Sequence, residues 1–289
     1  MSRYTQHTQH KQYERYARPV QRAQHSLKTL CRLLWLTTAL NMFCLPELAN
    51  AEESISISEA INIAGRQRML TQRIVKAYCL VGMRTSPSIH RKQLQDAMAL
   101  FEKQLDQLQS FSGTEQYTQA VQQERYLWSP VKKVAEQPAN KDQAKLLREK
   151  AEVLLRQAHA VVLILEEISG TAQGKLVNIS GRQRMLSQRI ANLYMLHVWG
   201  IRDEIFIRDA QQATRDFGIA MKTLADAPQN TLEIQQDLEV VAALWRVYIL
   251  VGKLENQSAE ERFGPPLVAE SSDLILKLMN KVTSMYAEL

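Results

Sequence analysis

One string of residues occurs twice, and that repetition limits what the chain can fold into more than any other feature. Asn62-Ile-Ala-Gly-Arg-Gln-Arg-Met-Leu-Thr-Gln-Arg-Ile74 returns 116 residues later as Asn178-Ile-Ser-Gly-Arg-Gln-Arg-Met-Leu-Ser-Gln-Arg-Ile190, altered only at Ala64/Ser180 and Thr71/Ser187. The echo continues beyond the string. Ala97 and Phe101 match Ala213 and Phe217, Leu127-Trp128 matches Leu244-Trp245, and Glu152-Val-Leu-Leu-Arg156 resembles Asp273-Leu-Ile-Leu-Lys277. Self-similarity across several separated segments marks a duplicated structural unit, so whatever one copy folds into the other must fold into as well.

Each copy reads as four helices. With 10 Gly and 8 Pro in 289 residues, long uninterrupted helices are easily accommodated, and apolar residues recur at helical spacing with no strand-like alternation. The expected helices run over 54–84, 88–111, 114–136 and 141–168 in the first copy. In the second they run over 171–200, 203–226, 230–255 and 267–288. Turn chemistry separates them at Ser86-Pro87-Ser88, Ser112-Gly113-Thr114, Gln137-Pro138-Ala139-Asn140, Ala227-Pro228 and Phe263-Gly264-Pro265-Pro266. Short connections favour antiparallel neighbours. The expected fold is therefore all-α, with two tandem up-down four-helix-bundle modules at 52–169 and 170–289, elongated, and a nearly continuous helix across Ser169-Gly170.

Residues 1–51 differ from the rest. They carry seven Lys and Arg, then the apolar run Leu33 to Leu45, then Ala49-Asn50-Ala51. A basic stretch, a short apolar stretch and an Ala-x-Ala site read as a secretory signal peptide cleaved after Ala51, which places the mature chain in the periplasm. The alternative is an inner-membrane anchor formed by residues 33–45. Without the leader, 29 Lys and Arg face 28 Asp and Glu. The pI of 9.2 therefore belongs to the leader, and no nucleic-acid partner is expected. Cys79 is then the lone cysteine, so packing alone must hold the fold.

A helical projection at about 100° per residue places Ile57, Ile61, Ala64, Arg68, Gln72 and Val75 on one face. In the second copy Val177, Ser180, Arg184, Gln188 and Ala191 share the equivalent face. A guanidinium on a core face has to be paired or meet an anion, because an isolated buried charge is very costly. The planar fork of donors on Arg matches the oxygens of nitrate, nitrite or a carboxylate. Arg68 and Arg184 are therefore the candidate ligands, with Gln72 and Gln188 as second donors one turn on and Arg66 and Arg182 flanking. The competing reading pairs the two arginines with acids such as Glu102, Asp106 or Asp216. No metal site, cofactor or catalytic group is expected: His90, His159 and His197 stand alone, and no glycine-rich phosphate loop is present.

The repeated Gly-Arg-Gln-Arg-Met-Leu-Ser-Gln-Arg string resembles the signature of the PilJ-type domain, the N-terminal region of type IV pilus methyl-accepting chemotaxis transducers. It is also similar to the periplasmic segment of NarX-type nitrate/nitrite sensors. The resemblance covers both copies and departs at Arg66-Gln67, where the nitrate sensors carry smaller or apolar residues. It implies a periplasmic helical bundle that senses a small ligand and passes on a helix shift. It also implies that Arg68 and Arg184 take the place of the arginine that binds nitrate across a dimer interface. Two arrangements follow: a pseudo-twofold within one chain, or a head-to-tail chain that needs a second copy, hence a homodimer. The chain stops directly after its last helix, so a separate membrane sensor kinase or chemoreceptor-like partner is expected to carry the signal. The alternative function is a non-catalytic helical scaffold of an envelope or pilus-associated complex.

Overall fold

A computed structural model of the chain describes residues 55–251 and 264–289. The leader read at 1–51, with its cleavage and anchor alternatives, lies outside the described residues, as do 252–255 at the expected end of the seventh helix. Among the described residues there are eight helices. In the first copy these are α1 (Ile57–Gly82), α2 (Pro87–Ser110), α3 (Glu115–Ala135) and α4 (Lys141–Ser169). In the second they are α5 (Ala172–Val198), α6 (Glu204–Ala225), α7 (Leu232–Val251) and α8 (Gly264–Glu288). None of them is long and apolar enough to cross a membrane.

Local chemistry sets the helix ends. Ser56 caps α1 by accepting from the Glu59 N–H at 3.2 Å, and Thr114, Asn140 and Thr171 do the same for α3, α4 and α5. Pro87 occupies the first turn of α2, where its missing N–H costs nothing. The continuous helix expected across Ser169-Gly170 is not formed. Gly170 turns left-handed at φ 58° and its N–H closes on the Glu166 carbonyl, while Thr171 starts a new helix.

In the first copy α1 packs on α2 and α4, and α3 packs on α4; in the second α5 packs on α6 and α8, and α7 packs on α8. The most extensive contact of all joins the copies, with α1 lying against α5. Residues 54–289 accordingly form one compact unit. Both signature helices are enclosed by neighbours, so α1 buries Gln67, Thr71, Gln72 and Lys76 along with its apolar residues. The duplicated core shows in matching ring stacks, Phe101 on Trp128 at 4.2 Å and Phe217 on Trp245 at 3.7 Å between centroids. Cys79 is a buried core residue.

The two cores are not identical, and one difference places a carboxyl in the first. Glu124, one turn before Trp128, is fully buried and neither carboxyl oxygen has a hydrogen-bond partner. Its counterpart is the equally buried Val241. Burial pushes the Glu124 carboxyl up to about 8, so the folded chain holds its proton over a range where the unfolded chain, titrating near 4.5, has lost it. Stability tied to this group is complete below pH 4.5 and is lost as pH rises through about 8. Glu124→Val is therefore expected to stabilise the protein, by about 1–3 kcal/mol at pH 8 and by less at pH 5, in denaturant titrations at the two pH values. An equal gain at both would contradict this account of Glu124.

Candidate anion site at the repeat interface

Arg68 on α1 and Arg184 on α5 meet where the two helices touch. Each reaches across to the other copy: Arg68 Nη2 donates to the Asn178 carbonyl at 3.2 Å, and Arg184 Nη2 donates to the Asn62 carbonyl at 3.0 Å. The residues exchanged are equivalent under the 116-residue offset, so the contact has internal pseudo-twofold symmetry. Glycine makes it possible. A Cβ on Gly65 would sit 3.1 Å from Arg184 Nη2, 3.4 Å from Arg68 Nη2 and 3.9 Å from the Gly181 Cα. One on Gly181 would sit 3.0 Å and 3.5 Å from the same two nitrogens. Both guanidiniums thus share the space that side chains on Gly65 and Gly181 would fill.

The pair is enclosed and lacks acidic partners. Arg68 is 1% and Arg184 0% exposed. Arg68 Nη1 lies 3.1 Å from His159 Nδ1. Arg184 Nη1 donates to Asn62 Oδ1 at 2.9 Å and Asn280 Oδ1 at 3.2 Å. Both Nε atoms are buried without a hydrogen-bond partner. Among the described residues no carboxylate forms an ion pair with either arginine. Glu102 binds Lys132, Asp106 binds Arg125, and Asp216 binds Arg182. Burial and the nearby Arg182 pull Arg68 down to about 9, which leaves it charged at neutral pH. Burial, then Arg66 and Arg68, also lower Arg184 well below its usual value. The two guanidiniums thus lie together in a low-dielectric space with both Nε donors free of a hydrogen-bond partner.

The other residues singled out in the sequence lie around this pair. Gln72 and Gln188 do not point their amides at the guanidiniums. Gln72 Nε2 donates to Glu152 at 3.2 Å and its Oε1 accepts from Asn192 at 2.7 Å, while Gln188 Nε2 donates to the Ser272 carbonyl at 2.9 Å. They belong to a supporting layer in which an acid on each copy's last helix is held by the other copy. Arg73 pairs with Asp273 and Arg189 with Glu152. The fully buried Lys76 also binds Asp273 at 2.7 Å; burial brings its ammonium down to about 8. Arg66 is half-buried, and Arg182 is exposed at a recess.

That recess, of about 310 Å³, lies between α4, α5 and α6 and reaches Arg68. It contains a residue that sequence reasoning set aside, His159. With Nδ1 accepting from Arg68, the ring is neutral and carries its proton on Nε2. Burial, then Arg68 and Arg182, lower its pKa to about 4. Asn62, Asn178, Gly65 and Gly181 were also missed as functional residues, although all four stand inside the repeated string.

The sequence profile of the family described as type IV pili methyl-accepting chemotaxis transducer N-term, PilJ, matches residues 50–154 and 168–249. The chain belongs to the PilJ family. PilJ domains are non-catalytic sensory domains of membrane chemoreceptors, and the two matched segments fall one in each copy. No curated protein and no solved structure matches the chain. The two PilJ segments meet through the very residues that both contain.

Two outcomes follow for this PilJ protein. Gly181→Ala is expected to be less stable than Gly218→Ala, whose added methyl meets nothing within 4 Å. The difference should be at least about 1 kcal/mol by chemical denaturation, since Arg184 cannot yield without straining its hydrogen bonds. His159 binds its proton more readily unfolded, so its contribution to stability falls as pH drops from 6.5 towards about 4. His159→Asn, which installs the residue found at Asn280, is expected to flatten the melting-temperature profile over that window. Parallel profiles for the two proteins would show that His159 is not held neutral by the site.

Proposed function

We propose that this chain is a periplasmic ligand-binding component of a sensory system, taking a small anion at the Arg68–Arg184 pair and acting through a separate membrane signalling partner. The observation that carries this reading is the pair itself: two buried guanidiniums side by side, with unpartnered Nε donors and, among the described residues, no carboxylate in an ion pair with either. A bound nitrate, nitrite or carboxylate would remove the repulsion and accept the free donors. The copies at 52–169 and 170–289 would then act as the two halves of an internal dimer. An anion shared by α1 and α5 would bias their relative position at the Gly65–Gly181 contact, where the two arginines bridge the helices, and such helix shifts are a common signalling step. The scaffold reading called for Glu102, Asp106 or Asp216 on the arginines, and those acids are engaged with Lys132, Arg125 and Arg182.

Thermal unfolding of the purified protein with millimolar nitrate, nitrite and small carboxylates tests this. An anion at about 100 times its dissociation constant adds about 2.7 kcal/mol, a clear rise in melting temperature. The rise should vanish in Arg68→Ala and in Arg184→Ala. A rise that persists in both variants would place binding elsewhere, and no rise with any anion would favour the scaffold.

A further inference from the structure

The two halves of the interface are built to one plan but finished differently. Each has a recess beside it: about 310 Å³ next to Arg68, and about 380 Å³ between α1, α2 and α8. Their walls correspond under the repeat, Arg182 to Arg66, Met185 to Met69, Ala213 to Ala97, and His159 to Asn280. Only the first wall includes a central arginine. Arg184 is covered, its Nη1 held by both Asn62 Oδ1 and Asn280 Oδ1. Arg68 is covered less completely. Asn178 turns its amide towards Glu166 and leaves its Oδ1 buried without a partner, so only His159 and one carbonyl hold the guanidinium.

The charges of the Arg68 recess leave a positive remainder. Glu152 and Asp209 are both taken by Arg148 and Arg189, and Asp216 is taken by Arg182. Arg68 and Arg156 have no ion pair among the described residues. Arg68 forms the enclosed inner end, with an unpartnered Nε, and Arg156 stands exposed among the lining residues. Leu155, Met185, Leu186 and Ala213 supply apolar wall between them. A four-atom oxyanion would leave that wall facing water. A cavity of this volume lies in the range that holds small organic ligands, which bury hydrocarbon and use a few polar groups for orientation.

Resting on the reading that this interface takes an anion, but moving it from between the two arginines to Arg68 alone, we propose that the protein holds one ligand per chain, off the pseudo-twofold axis in the Arg68 recess, and that this ligand is an organic monocarboxylate. Its carboxylate is held by Arg68, with the Nε2–H of His159 as a further donor. Its carbon body lies on Leu155, Met185 and Leu186, and Arg156 guards the entrance. Arg184 is a positioning residue that completes the α1–α5 contact and does not touch the ligand.

Titration calorimetry on the purified full chain with nitrate, acetate, butyrate and benzoate tests the proposal. Butyrate and benzoate are expected to bind one per chain and at least tenfold more tightly than nitrate. Gln212→Trp, an exposed position on the recess wall, should weaken them tenfold or more. Asp96→Trp, the equivalent exposed position of the other recess, should leave them unchanged, and it controls for the bulk of the new ring. Nitrate binding as tightly as benzoate, with both indifferent to Gln212→Trp, would put the ligand between the two arginines and overturn the proposal while leaving the anion reading intact. Two ligands per chain, or equal losses in the two Trp variants, would overturn the single-site claim. No binding of any of the four probes at millimolar concentration would overturn both readings.

Discussion

Two guanidiniums enclosed between α1 and α5 form the constraint around which the rest of this molecule is arranged. Holding like charges together away from water is unfavourable, and the surrounding residues answer this in an ordered way. Gly65 and Gly181 remove the side chains that would occupy the space. The Asn62 and Asn178 carbonyls, exchanged between copies, each receive one Nη2. His159 and Asn280 receive the Nη1 atoms from the flanking helices. One layer away, where full charge neutralisation is available, Arg73 and Lys76 meet Asp273 and Arg189 meets Glu152. Among the described residues, carboxylates thus balance the supporting layer and form no ion pair with the central arginines. That difference is the ground on which the proposed anion site rests.

Duplication within one chain gives this arrangement a freedom that identical subunits would lack. Two identical halves must change together, whereas here Asn280 can close over Arg184 while His159 borders a recess beside Arg68. The same independence appears in the cores, where Glu124 is buried at the position Val241 occupies in the other copy. One half can therefore specialise in holding the interface while the other keeps access to it.

Much of this was legible in the residue order. The duplicated string and the turn residues placed helices such as 88–111 and 141–168 within one residue of α2 and α4, because caps and prolines act locally. Helical spacing put Arg68 and Arg184 on the core face, where both are found. What spacing could not convey was which neighbours each helix has. α1 is surrounded by α2, α4 and α5, so Gln67 is buried although it lies off its apolar stripe, and Gln72 bonds outward to Glu152 in place of Arg68. The role of His159 depends on the register of α4 against α1. A signal for it existed: extending the Glu152–Asp273 match three residues past Arg156 and Lys277 aligns His159 with Asn280. The break at Gly170 rests on a left-handed residue, which a glycine beside an expected helix end permits but does not require.

The claim on which everything else depends is that Arg68 and Arg184 repel one another across the α1–α5 contact. A double-mutant cycle on stability measures it directly, using Arg68→Met, Arg184→Met and the combined variant in denaturant titrations at low salt and without added anion. Each single replacement relieves the repulsion as well as removing hydrogen bonds, so the combined variant should lose more stability than the two singles together, by about 1–3 kcal/mol. Losses that add to within about 0.5 kcal/mol would mean that the two arginines do not feel each other, and the internal pseudo-dimer would have to be abandoned.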